Sequence, residues 1–194
     1  MWANKANDIF PTHHLLVDLS LSLEEIRQKF RKSFKPLVNK SFKKWVIETH
    51  DCVSTYEFDK FRLLHKSVSG RSTRTLDSWK IQKNKINSAQ AVLITVKDNC
   101  ENLVGGGLFT YSSYQGMYSI GAYNRDLFSD PIGHGVQWKA IEFLKEKGCL
   151  WYEIGQKHLI IDVVHPTKKE LSISNFKEGF STNVIARQHV IVNI

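Results

Sequence analysis

Apolar residues recur at steps of three and four from Leu23 through Ile26, Phe30, Phe34 and Leu37, the period of one buried helix face. Ser22 and Glu25 frame its start as a capping box, and Pro36 is expected to kink or end it. The segment His13 to Leu19 ahead of it is apolar enough for a strand. A second helix is predicted from Tyr56 to Val68, with Phe58, Phe61, Leu64 and Val68 on one side and Gly70 as its break. A third starts at Thr75 or Asp77 and runs through Trp79 to Ile86.

After residue 90 the period changes. Ala91 to Val96 is a continuous apolar run of strand length, Asp98-Asn99 is a turn, and Leu103 to Tyr111 and Met117 to Tyr123 read as two further strands. These three predict an antiparallel meander. A helix follows from about Val136 to Lys147, with Val136, Ala140, Ile141, Phe143 and Leu144 as its stripe and Gly148 as its stop. Leu150 to Ile154 alternates as a strand, with Tyr152 and Glu153 on opposite faces. Thr167 and Glu170 form another capping box, opening a helix to about Gly179, and Val184 to Val192 is the last strand.

A meander that passes into a strand–helix–strand unit predicts an α/β sandwich with a mixed, mostly antiparallel central sheet flanked by helices. The expected organisation is one domain over 1–194, with a helical N-terminal part at about 20–90 and a sheet-rich core at about 91–194.

Composition narrows the function classes. The chain has 194 residues and 42% hydrophobic content, enough for one ordinary core. Its 3 Cys show no CxxC spacing, which argues against a disulfide framework and a zinc site; no metal is expected. No run approaches membrane-span length and no leader pattern precedes the first apolar run, so the expectation is a soluble, cytoplasmic protein. The formal net charge of +8 favours an anionic partner: a nucleic acid, a phosphate-bearing cofactor or a lipid surface. Arg27, Lys29, Arg31, Lys32 and Lys35 make one helix face basic; with no interleaved aromatics for base stacking, that face reads as solvated.

From Arg71 onward the motifs fall in a recognisable order. Gly70-Arg71 with Thr73-Arg74 and Trp79 comes first, then Pro131-Ile-Gly-His134 and Trp138-Lys-Ala-Ile141, then Gly148-Cys-Leu-Trp-Tyr-Glu-Ile-Gly155, and finally Phe176-Lys177 before Gly179-Phe180. This order resembles the C-terminal GNAT-like domain of Fem-type peptidoglycan aminoacyltransferases, and it covers most of the chain. The resemblance implies a GNAT-like fold and an N-acyltransferase activity. The implied donor is acetyl-CoA or another acyl-CoA, preferred because the family's long helical arm is absent and Gly133-x-Gly135 is present, or alternatively an aminoacyl-tRNA. The implied acceptor is a primary amine on an amino sugar, a nucleotide-linked sugar or a peptidoglycan precursor. Fem enzymes carry two such domains in tandem and this chain has room for one. A non-catalytic basic module that grips RNA or another phosphate polymer is the competing reading.

The phosphate-cradling loop of GNAT enzymes is similar to Asp130-Pro-Ile-Gly133-His134-Gly135, with an acid at its first position. Gly133, His134, Gly135 and Val136 are therefore the expected donor-binding residues, with backbone amides at a helix start facing an anion. Phe176 and Lys177 match the family's Phe-Lys, which implies a lysine near the reacting ester or donor phosphate. Acyl transfer also needs a proton acceptor, for which His134, Glu153 and Tyr123 are candidates. Gly121 is the expected mark of a bulge that exposes a carbonyl-polarising strand amide. Arg71 and Arg74 suit a phosphate or carboxylate of the acceptor, and Tyr123 is the third acceptor-binding candidate.

Overall fold

A computed structural model of the chain describes residues 8–162 and 165–191. Its strands are β1 (Asp8–Asp18), β2 (Val46–His50), β3 (Ala91–Lys97), β4 (Leu103–Tyr111), β5 (Gln115–Tyr123), β6 (Trp151–Lys157) and β7 (Asn183–Ile191). Its helices are α1 (Leu23–Lys29), α2 (Phe34–Lys44), α3 (Thr55–Ser69), α4 (Leu76–Asn87), α5 (His134–Glu146) and α6 (Lys168–Glu178).

Local chemistry sets the helix ends. Ser22, Ser54 and Thr167 each accept from the third-residue amide while Glu25, Glu57 and Glu170 reach back to the cap amides, so two orphan donors are satisfied at each start. Gly70 closes α3 in the left-handed conformation at φ 70°, which a side chain would strain. The single helix expected across Leu23 to Leu37 is instead α1 and α2. Phe30 turns extended at ψ 149° and breaks the run. Pro36 sits in the first turn of α2, where its missing N–H is not needed, so it helps begin a helix rather than end one. The short strand β2 went unread because Trp45 to His50 lacks a clean alternation. Val192, expected to close the last strand, lies outside the described residues.

The strands form one sheet in the order β2-β3-β4-β5-β6-β1-β7, antiparallel throughout except for the parallel pair β5–β6. The first ninety residues contribute two of its strands, β1 lying between β6 and β7. One face carries α1, α2, α5 and α6 over a core that includes Ile26, Phe34, Ile94, Phe109, Ile141, Tyr152 and Phe180. The other carries α3 and α4 over Leu93, Leu108, Ile120 and Ala122, through Phe58, Phe61 and Trp79. Strand β3 is buried on both faces, which is why it reads as an unbroken apolar run. Helices α3 and α4 stop at β5, so β6, β1 and β7 keep a polar second face. There Glu153 pairs with His14 and Arg187.

Candidate active site between strands β5 and β6

Strands β5 and β6 pair over three residues only, Gln115 to Met117 against Trp151 to Glu153. Beyond that point their facing backbone edges leave a gap, and side chains fill it. A bulge shapes the β5 side: Phe109 pairs with Tyr118 while Leu108 pairs with Ile120, leaving Ser119 as the extra residue. Tyr118 and Tyr123 are five apart and a regular strand would put them on opposite faces; the bulge puts both on the same one. Their hydroxyls meet at 3.3 Å, Tyr118 donating. Gly121 pairs regularly with Gly107 and is not the bulge; a side chain there would run into the Tyr118 hydroxyl.

Helix α6 delivers Lys177 to this gap. Its Nζ stands 5.5 Å from the Tyr118 ring centre, and a Cβ at Gly155 on β6 would lie 2.5 Å from it. Gly155 has φ 144°, a conformation a side chain disfavours, and it adjoins a second bulge where β6 meets β1. The lysine thus reaches across both strands at the point where they part. Burial alone pulls its pKa down, and among the described residues no carboxylate pairs with it. A half-buried amine without a countercharge is costly, which makes it a candidate functional group with a physical rationale. Burial also raises the tyrosines: Tyr118 is pushed up to about 12, and Tyr123 goes well above the usual phenol range through burial and then its neighbour Tyr118. Both therefore stand as neutral phenols at physiological pH, which suits Tyr123 to donating a hydrogen bond.

The start of α5 borders the same region. Gly133 approaches Phe176 so closely that a Cβ there would lie 3.1 Å from the ring, and Tyr123 is the next neighbour. The amides expected to cradle an anion are partly engaged within the protein. His134 N–H donates to the Pro131 carbonyl, and Gly135 N–H donates to the buried Ser41 hydroxyl at 3.1 Å. Gly135 is a glycine because α2 and Ile47 of β2 press against it, and the Val136 side chain points into the core. Asp130 is clamped by Lys44 at 2.5 Å and Lys40 at 3.5 Å, and the Lys44 bond first of all holds its carboxyl below the usual range.

His134 does not fit the base role. Its ring packs among Phe34, Phe176 and Phe180, edge-on to the first two, and its nitrogens are buried with the Pro131 carbonyl as their one weak polar neighbour. Burial drives its pKa down to about 4, so it is neutral and a weak base. Glu153 is also ruled out as a base in this gap. It faces the opposite side of the sheet, bound by Arg187 at 2.7 and 3.1 Å, His14 at 2.7 Å and Gln115 at 2.8 Å. Burial raises its pKa, but Arg187 and His14 more than offset that, and the carboxyl stays below its ordinary range. Arg71 and Arg74 do not join the site either. They lie in the α3–α4 connection, where Arg74 stacks at 5.9 Å over Trp79 in the core on the far side of the sheet.

Lys177, Phe176, Tyr123, Gly133 and His134 are thus gathered around one gap, whereas Glu153, Arg71 and Arg74 are elsewhere. Tyr118 and Gly155 were missed. Tyr118 was hidden by the Ser119 bulge, which inverts strand parity. Gly155 ends the Gly148-to-Gly155 motif, and the alternating strand before it gives no sign of its positive φ.

No protein-family model and no curated protein matches the sequence. Solved structures do match in fold. The chain is similar to FemX at 13% identity and TM-score 0.70, covering 92% of this chain and 61% of that one. It is similar to L-PGS from Bacillus licheniformis at 13% identity and TM-score 0.65, covering 92% of this chain and 59% of that one. The C-terminal domain of a putative lysylphosphatidylglycerol synthetase from Agrobacterium fabrum matches at 12% identity and TM-score 0.58, covering 97% of this chain and 63% of that one. The chain therefore spans about three fifths of each of these structures. The fold is GNAT-like and resembles that of the Fem-type aminoacyltransferases.

Proposed function

We propose that this chain is an N-acyltransferase whose reaction centre is the gap between β5 and β6. The supporting observation is Lys177: a half-buried amine at the parting of two strands, with no carboxylate partner among the described residues and two neutral phenols beside it. Attack of an amine on an ester or thioester carbonyl builds negative charge on the carbonyl oxygen. A cation held in a half-buried position near that oxygen stabilises the charge more than it would in bulk water. Lys177 takes this role. Tyr123, whose hydroxyl accepts from Tyr118, keeps its own proton to donate to the same oxygen.

The acceptor in this reading is a primary amine on an amino sugar or peptidoglycan precursor, as the Fem likeness implies. For the donor we favour the aminoacyl ester of a tRNA over an acyl-CoA. The reason is that the Gly135 amide, on which a CoA pyrophosphate site at α5 would depend, donates to Ser41. Acyl-CoA remains the second reading, supported by the position of Gly133 at the head of α5 next to Phe176 and Tyr123. Location in the cytoplasm belongs to this proposal as well; among the described residues, no helix is long and apolar enough to cross a membrane.

Hydroxylamine, a small nucleophile that needs no acceptor pocket, tests the activity directly. Protein-dependent hydroxamate from aminoacyl-tRNA supports the leading donor, and hydroxamate from acetyl-CoA supports the second. Rates equal to the uncatalysed background with both donors contradict acyl transfer.

A further inference from the structure

We infer that Tyr118 is a positioning residue for Lys177: its ring holds the ammonium at the gap between β5 and β6 without a countercharge, and its own place is set by Phe109, Gly107 and Gly121. A lysine side chain is long and loses much rotamer freedom when it is confined, so it stays in one place only where something holds it. The stem of Lys177 passes Gly155, where a Cβ would lie 2.5 Å from Nζ and 3.4 Å from Cδ and Cε. Its tip stands 5.5 Å from the centre of the Tyr118 ring. An aromatic face attracts an ammonium through its quadrupole and leaves the charge unpaired. A carboxylate in the same place would also hold the amine, but it would compete with a carbonyl oxygen for that charge. A ring is therefore the support that suits a cation kept for an incoming ligand.

Tyr118 is itself held from several directions. Phe109, fully buried in β4, stacks on its ring with 5.0 Å between centres and 20° between planes. Its hydroxyl lies 3.3 Å from that of Tyr123. Two glycines leave the remaining space. A Cβ at Gly107 would stand 2.9 Å from the Phe109 ring and 3.1 Å from the Tyr118 ring. A Cβ at Gly121 would run into the Tyr118 hydroxyl and stand 2.9 Å from the ring carbon that bears it. A methyl group at Gly121 displaces the ring, so that glycine acts on Lys177 through Tyr118. The seating of the amine is independent of the acyl-transfer reading; its consequence for the rate rests on that reading.

Two measurements on the full chain test this. Protons over an aromatic face are shifted upfield, so NMR of the chain with isotope-labelled lysine should show one upfield ε-methylene signal that Lys177→Met removes. Y118F keeps the ring and should retain that signal. Y118L, which removes the ring, and G121A, which displaces it, should each return the signal to the position of ordinary lysines. In the hydroxylamine assay, Y118L and G121A should lower kcat by about 10²-fold with the donor KM little changed, the size expected when a catalytic group is misplaced by about 1 Å. Y118F should lose clearly less than Y118L. A Lys177 signal in the same position in Y118L as in the parent overturns the seating. A signal that moves in Y118L while kcat equals that of Y118F overturns the positioning role. Absence of hydroxamate from the parent with both donors contradicts the acyl-transfer reading instead, and the ε-methylene signal then decides the seating alone.

Discussion

Lys177 and Tyr118 meet across the gap between β5 and β6, with the amine 5.5 Å from the ring centre and no carboxylate among the described residues to balance it. The contact depends on one extra residue, Ser119, whose bulge turns Tyr118 toward α6. Everything proposed about chemistry here rests on that amine being kept for a ligand rather than for the fold.

The stability of a Lys177→Met variant separates those two roles. The folded state lowers the lysine pKa, so the unfolded chain binds more protons in the window just below the ordinary value of 10.5. Stability contributed by this site therefore rises with pH through that window. At neutral pH the buried ammonium is a cost, and methionine removes it. The expected outcome of urea titration at pH 7 is a variant as stable as the parent or more so, with the difference shrinking toward pH 10.

His134 makes a second, acid-side signature. Its pKa falls from 6.5 to about 4 on folding, so protonation of the unfolded chain pulls stability down as pH drops across that interval. The loss attributable to this one ring is about 3 kcal/mol, at about 1.4 kcal/mol for each pKa unit. Replacing it with leucine should flatten the decline, as read by denaturant midpoints from pH 7 to pH 4. Acyl transfer should persist, because the ring is not the base.

Glu153 serves structure on the other face. Replacing it with glutamine leaves Arg187 and His14 facing a neutral amide and should cost about 2 kcal/mol, below the roughly 3–5 kcal/mol of a fully buried pair because Arg187 is partly exposed. The E153Q/R187Q pair should destabilise by clearly less than the sum of the single changes, since the two share one interaction. Additive losses in the double-mutant cycle would contradict the pairing.

Gly135→Ala probes why the loop ahead of α5 carries a second glycine. The new methyl group would press on Ser41 and Ile47, and overpacking of this kind costs roughly 1–3 kcal/mol. The expected result is a lower melting temperature, with no change in the apparent affinity for acetyl-CoA.

Much of the fold was legible because its signals are local. The capping boxes at Ser22 and Thr167, the two-faced burial of β3 and the left-handed Gly70 are each dictated by a few neighbouring residues. The parts that were not legible depend on distant pairing. Nothing near His13 to Leu19 says that this strand inserts between β6 and β7, and Pro36 reads equally as a stop or a start. In the site, Lys177 and Phe176 were found through family resemblance. Glu153, Arg71 and Arg74 lie away from the gap, and neither strand parity nor a loop's composition reveals which face of the sheet a residue serves.

The most direct measurement is hydroxamate formation from aminoacyl-tRNA by the parent chain and by the Lys177→Met variant, each shown to be folded. Loss of a single charge-stabilising donor should slow the transfer by about 10²–10³-fold while leaving stability intact. A variant as fast as the parent would contradict the assignment of the reaction centre to the gap between β5 and β6.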